Sequence, residues 1–169
     1  MKTALKWLDR LFYLQVSLGA FLAFGMGILV FLSALMRYVV GSPLDFSDEL
    51  VALMFVSSAF LSLPYATRMG LNIKLDLVTK RLTGSTANIT GVIAGIAAVI
   101  ILMIFSVTAI EEVMFALELG EKTDVAGIPV FPFKALVLFS IFSTSLAMLM
   151  VVVAGPLENA NAVHGEGIE

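Results

Sequence analysis

The side chains that could perform acid–base chemistry in this chain include two adjacent pairs of carboxylates, Asp48 with Glu49 and Glu111 with Glu112. Neighbouring residues on a helix point about 100° apart, so neither pair converges on one proton as a general acid and base must. The single histidine, His164, lies in a polar tail, and the chain has no cysteine. A thiol nucleophile, a disulfide and an intramembrane histidine site for haem or metal are therefore excluded. We predict no enzymatic activity and no cofactor.

Hydroxyl groups are the remaining candidates for a polar pathway. A serine in a helix can donate its hydroxyl to a carbonyl one turn back and so need no ligand. We expect such local bonds for the serines within the long apolar segments, namely Ser57, Ser58, Ser62, Ser106 and Ser143.

Four uncharged apolar runs make up most of the chain, at residues 11–36, 50–67, 82–110 and 135–157. A helix needs about 20 apolar residues to cross a bilayer. The chain has 60% hydrophobic and only 14% charged residues, whereas a soluble domain has about 25% charged residues. The sequence therefore predicts an all-α, polytopic membrane protein, with residues 1–169 forming a single four-helix transmembrane bundle. A net charge of −3 without a basic block argues against binding to nucleic acid.

The first run is about twice as long as the 7 to 15 apolar residues of a signal peptide, so we expect an uncleaved span. Lys and Arg are concentrated in two segments, which by the positive-inside rule should face the cytoplasm together with both termini. They are Lys2, Lys6 and Arg10 before the first run, and Arg68, Lys74, Lys80 and Arg81 between the second and third.

Acidic residues gather in the two opposite connections. Ser47 precedes Asp48 and Glu49, an order that favours a helix start with a hydroxyl cap. The second connection and its flanks carry five carboxylates, here called the acidic rim: Glu111, Glu112, Glu118, Glu121 and Asp124. This rim is expected to be solvated, and it could orient a charged partner protein.

Small residues four apart indicate faces on which helices can approach closely in lipid. The first run carries Gly19, Ala23 and Gly27, and the third carries Ala87, Gly91 and Gly95. These faces either meet inside the chain's own bundle or dock another protein.

Three ordered stretches resemble the small membrane subunit of tripartite ATP-independent periplasmic (TRAP) transporters, the DctQ-like family. The first is RYVVGSPLDFSDEL at 37–50, the second ATRMGLNIKLD at 66–76, and the third Thr123 followed by GIPVFPF at 127–133. The chain departs from the family pattern at four positions, which are Phe46, Asp48, Asn72 and Phe131.

The resemblance implies one subunit of a secondary transporter in the bacterial inner membrane, importing organic anions such as a C4-dicarboxylate or a sialic acid with sodium. Its partners would be a large multi-helix permease subunit, for which it provides scaffold, a periplasmic solute-binding protein, and membrane lipids. The matching charges, expected at subunit interfaces or helix ends, are Arg37, Asp48, Glu49, Arg68 and Asp76.

Arg37 and the Asp48/Glu49 pair are expected near the outer boundary, bonded to each other or to the large subunit. Arg68 could cap the second helix or contact lipid phosphate. Two other classes remain open: a self-sufficient small transporter or channel formed by oligomerisation, and a membrane enzyme. The chain alone would show conduction or uptake in the first case, and catalytic turnover in the second.

Overall fold

The computed structural model describes residues 2–42, 44–70 and 85–154, and in this part of the chain the fold is entirely helical apart from one isolated bridge between Lys122 and Pro129. The helices are α1 (Lys2–Leu35), α2 (Ser47–Met69), α3 (Ser85–Glu118) and α4 (Phe131–Ala154). A π-helical turn, Met36–Val40, continues α1. Each of the four is long and apolar enough to cross a membrane, which confirms the predicted fold class.

The helices extend beyond the apolar runs because charged residues are also good helix formers. The first helix begins well before residue 11, and α3 continues past residue 110 as far as Glu118. Gly120 has a positive φ of 60° in the turn that follows α3, a conformation that glycine adopts without steric penalty. Pro132 lies in the first turn of α4, where the missing N–H is not needed. The predicted span residues 82–84 and 155–157 lie outside the described residues.

The prediction that Ser47 caps α2 through its hydroxyl is wrong, although α2 does begin at Ser47. Phe46 is the capping residue, and no side chain there bonds a free amide. The Ser47 hydroxyl instead donates to the carbonyl of Leu44 and shares a 2.8 Å hydrogen bond with the Ser33 hydroxyl of α1. The Ser47 hydroxyl, which the local sequence pattern predicts as a helix cap, is therefore used in a contact with α1.

The helices pack in the spatial order α1, α2, α4, α3, with extensive contact only between neighbours in that order among the described residues. The two outer helices each bury one narrow stripe, while α4 is the most buried of the four. Large apolar side chains therefore line the outside of α1 and α3, including Phe21, Phe24, Phe31, Ile104 and Phe105. Lipid can solvate such surfaces, so the array is open at its edges rather than closed around one core.

Two hydrogen-bonded contacts define the ends of the array. Glu49, at the start of α2, bonds the backbone at residues 125 and 126 in the connection between α3 and α4. This end is called the loop end. At the opposite end Arg68 of α2 bonds Asp9 of α1, close to a small core of Phe12, Ala147 and Met150. This end is called the Arg68 end.

Candidate functional site

Glu49 fastens the connection between α3 and α4 to the start of α2. Its Oε1 accepts a 2.9 Å bond from the N–H of Val125, and its Oε2 accepts a 2.8 Å bond from the N–H of Ala126. The connection is itself a small hairpin, in which the N–H of Thr123 donates to the carbonyl of Ile128 at 2.9 Å and the Thr123 hydroxyl accepts from the Ile128 N–H at 3.0 Å. A carboxylate that accepts two backbone N–H groups is a strong, directional anchor.

Asp48 does not share this role. Its side chain is exposed, and the bond it accepts, from the Ser47 hydroxyl at 3.3 Å, is long. Asp48 and Arg37 instead line a crevice of about 270 Å³ between the π-helical turn and α2. Among the residues that the structure describes, Arg37 makes no ion pair with Asp48 or Glu49. The two adjacent carboxylates thus point to different surroundings, as the turn of a helix requires.

The exposed wall of this crevice belongs to the π-helical turn. Arg37 is exposed, and the next residue, Tyr38, has 85% of its surface exposed. π-helical turns are rare and often occur at functional sites. A guanidinium, a carboxylate and a phenol are therefore available to a partner at one place on the loop end.

Lys134 links the acidic rim to the first turn of α4. Its Nζ donates to Glu121 Oε2 at 2.7 Å and to Glu112 Oε2 at 3.2 Å. Glu121 is partly buried, whereas the other four members of the rim are exposed. The rim is therefore largely exposed, with one lysine bound to two of its carboxylates.

Arg68 closes the opposite end of the array. Its Nε donates to Asp9 Oδ1 at 2.9 Å, and the arginine side chain is almost fully buried, while Asp9 keeps 25% exposure. This bond joins the beginning of α1 to the end of α2. Gly70, with a φ of 75°, ends the helix by donating its N–H to the carbonyls of Ala66 and Thr67. Asp76 lies outside the described residues.

The small-residue faces differ from one position to the next. A Cβ on Gly19 would lie 3.0 Å from the carbonyl oxygen of Ser58, so α1 and α2 are in close contact there. Ala23 and Gly27 are exposed, and a Cβ on Gly27 would meet nothing within 4 Å. On α3, a Cβ on Gly95 would collide with Val152 of α4, but one on Gly91 would meet nothing. The side chain of Ala87 is not among the described ones.

Polar side chains in the apolar interior are mostly bonded within the chain. Three of the five serines donate one turn back as expected, Ser58 to Phe55, Ser62 to Ala59 and Ser106 to Leu102. Ser143 instead accepts a 2.8 Å bond from Gln15 of α1. Ser57 differs, since its buried hydroxyl has no hydrogen-bond partner, and neither has Gln15 Oε1.

Asp9 and Gln15, which form hydrogen bonds between helices, are not predicted from the sequence. Asp9 stands alone among the basic residues before the first apolar run, and charge balance with Arg68 could have identified it as the partner. Gln15 is an amide inside an apolar run, a position where polar side chains tend to bond between helices. No group of three or more His, Cys, Asp or Glu that could hold a metal is present within residues 2–42, 44–70 and 85–154.

The fold and its charges define a class: a multi-pass helical membrane protein of four spans. Among the described residues, the charged groups lie toward the two ends of the helices. A family model described as "Tripartite ATP-independent periplasmic transporters, DctQ component" matches residues 26–156. The match covers well over half of the chain, which therefore belongs to the DctQ family of TRAP transporter components. Searches of curated proteins and of solved structures each find no match.

Proposed function

We propose that this chain is the small permease subunit of a TRAP-type secondary transporter and forms part of the static scaffold of a large permease subunit. The carrying observation is that residues 11–36, 50–67, 82–110 and 135–157 contain no Asp, Glu, Lys, Arg or His. Ion and substrate pathways generally place such groups, or broken helices, near the middle of the membrane. Helices without them are suited to support a transport domain that moves.

The bonds between helices support the scaffold role. The Gln15–Ser143 bond joins α1 to α4, Arg68–Asp9 joins α1 to α2, and Glu49 holds the α3–α4 connection to α2. Polar bonds of this kind fix the mutual positions of helices in lipid, where the hydrophobic effect between helices is absent. The subunit is accordingly proposed to form one rigid body within the static scaffold.

In this proposal the protein lies in the bacterial inner membrane with both termini in the cytoplasm. The loop end, with the acidic rim, then faces the periplasm, and the Arg68 end faces the cytoplasm. The basis is the concentration of Lys and Arg in the segments 2–10 and 68–81.

The proposed transport reaction is sodium-driven import of an organic anion, a C4-dicarboxylate or a sialic acid. The large multi-helix subunit would hold the sodium and substrate sites, and a periplasmic solute-binding protein would deliver the substrate. The family membership supports the tripartite assembly. The lack of ionisable groups within the apolar runs supports the division of labour.

The surface proposed to meet the large subunit includes the crevice of Arg37 and Asp48 at the loop end. Charges at membrane depth are costly unless they are paired, and these two are exposed without an ion pair to each other. Gly27 and Gly91 present open small-residue surfaces on α1 and α3 that would admit a helix of the partner.

The test is co-expression of this chain with a large TRAP permease subunit from the same organism, followed by purification through a tag on this chain. The proposal predicts a stoichiometric complex that, with sodium and the binding protein, accumulates a labelled carboxylate in proteoliposomes. Charge reversal of Arg37 together with Asp48 should reduce the amount of co-purified large subunit. A chain that purifies without any large subunit under these conditions would contradict the proposal.

A further inference from the structure

A crevice of about 350 Å³ lies at the loop end, between α2 and α3 where both pack against α4. Its walls are mostly aliphatic and aromatic, with Leu53 and Val56 from α2, Ala109 and Val113 from α3, and Phe133 and Val137 from α4. Ser57 of α2, whose hydroxyl has no hydrogen-bond partner, also belongs to the lining. Cavities of this size are typical of small-molecule sites. The crevice exists because α2 and α3 are neighbours of α4 but not of each other.

Water is a poor occupant for this space. A buried water needs two to four polar partners, and cavities without them stay dry or take up apolar molecules. Away from Glu112 and Lys134 the lining offers one side-chain polar group, the Ser57 hydroxyl, which is too few. The crevice lies on helices that cross the membrane, so hydrocarbon is the apolar molecule at hand. An acyl chain fits these walls.

The lining of the crevice also carries opposite charges. Lys134 and Glu112 both line it, joined at 3.2 Å, while Glu121 binds Lys134 from the other side at 2.7 Å. The side chain of Glu112 is 63% exposed, so it can turn toward a ligand while Glu121 still holds the lysine. One ammonium and two carboxylates give this cluster a net charge of −1.

We propose that the crevice binds one acyl chain of a zwitterionic aminophospholipid, phosphatidylethanolamine. Lys134 donates to the lipid phosphate, and the carboxylate of Glu112 accepts from the ethanolamine ammonium. Both contacts are charge-assisted hydrogen bonds. The net negative charge of the cluster disfavours an anionic headgroup such as phosphatidylglycerol. This inference depends only on residence in a membrane and not on the proposed transport role.

The lipid specificity is tested by native mass spectrometry of the full chain titrated with palmitoyl-oleoyl phosphatidylethanolamine and, separately, with the phosphatidylglycerol of the same acyl chains. We expect the ethanolamine lipid to bind about two- to fivefold more tightly, the range for a partly exposed charge pair. Equal binding of the two lipids, or tighter binding of the glycerol lipid, overturns the proposal.

Two pairs of variants locate the site. Ala109→Phe fills the crevice, whereas Val107→Phe adds the same ring to a position of α3 that is 61% exposed. We expect the first to weaken binding of the ethanolamine lipid about tenfold and the second to leave it unchanged. Glu112→Gln should remove the preference for ethanolamine, and Glu111→Gln, at the adjacent exposed carboxylate, should not.

The assignment is overturned if Ala109→Phe binds the ethanolamine lipid as well as Val107→Phe does. It is also overturned if Glu112→Gln keeps the preference for ethanolamine that Glu111→Gln shows. A further result would do the same: Ala109→Phe leaves lipid binding intact but lowers the yield of co-purified large subunit. The crevice would then hold side chains of the partner. That outcome would leave the proposed subunit role standing, so the two proposals fail separately.

Discussion

Replacing Gly19 with leucine should separate α1 from α2, because this glycine packs directly against the backbone of α2. A Cβ there would be 3.0 Å from the Ser58 carbonyl oxygen and 3.3 Å from Leu61 Cβ. The first of these atoms belongs to helix backbone, so the clash can be relieved only by moving a helix. Overpacking of this kind typically destabilises by about 1 to 3 kcal/mol, or about 2 to 12 °C in melting temperature for a chain of this length.

The matched control is Gly27→Leu, because Gly27 belongs to the same predicted small-residue face as Gly19. A Cβ on Gly27 meets nothing within 4 Å, and leucine favours a helix more than glycine by up to about 1 kcal/mol, so the melting temperature should stay level or rise. The assay is thermal unfolding of the purified variants in one detergent, followed by circular dichroism. Equal melting temperatures for Gly19→Leu and Gly27→Leu would refute the assignment of the α1–α2 contact to Gly19. A lower yield of large subunit with Gly27→Leu, at unchanged stability, is expected if this open face docks the partner.

Three further predictions concern the charged helix ends. Glu49→Gln should lower the hydrogen-exchange protection of the Val125 amide by about three- to tenfold, since an amide side chain offers one acceptor in place of two; Asp48→Asn should not change it. Arg68→Ala should destabilise the chain by about 1 to 3 kcal/mol, less than for a fully buried pair because Asp9 is partly exposed. It should also reduce complex assembly and uptake. A double-mutant cycle with Asp9→Ala should show coupling between the two residues, and additive effects would contradict the ion pair. Neutralising the acidic rim should flatten the salt dependence of uptake and of docking by the binding protein, and an unchanged salt dependence would remove the rim from docking.

The four helices could be predicted from the sequence because hydropathy and length alone determine which segments can cross a bilayer. Helix ends were less predictable, since charged residues such as Glu111 and Glu112 extend α3 beyond its apolar run. The hydroxyl of Ser47 satisfies the local pattern of a cap, yet it bonds Ser33 of another helix. Local rules fail where a tertiary partner competes for the same group.

The small-residue face on α1 illustrates a geometric limit of sequence patterns. Residues four apart on a helix of 3.6 residues per turn drift by about 40° per step, so Gly27 lies about 80° from Gly19. The buried stripe of α1 follows the helical period of 3.6 residues and includes Phe12, Gln15, Gly19 and Ser33. Gly19 lies against α2 and Gly27 does not, because the pairing of the helices determines which part of a small-residue stripe is covered.

The same limit applies to the candidate interface. Sequence order alone could not separate Glu49, which bonds a backbone 76 residues away, from Asp48, which stays exposed. Nor could it predict the crevice between α2 and α3 where both pack against α4, because this crevice depends on the spatial order of the helices. Which distant segments pair is determined by packing, and the local patterns of a single sequence do not specify that pairing.

In the proposed role this chain supports a transporter but does not carry the substrate itself. The decisive experiment places the purified chain in vesicles with an inward sodium gradient and measures accumulation of labelled C4-dicarboxylate and sialic acid. We expect no accumulation for the chain alone, and accumulation only when the large subunit and the loaded binding protein are added. Sodium-driven accumulation by the chain alone would contradict it.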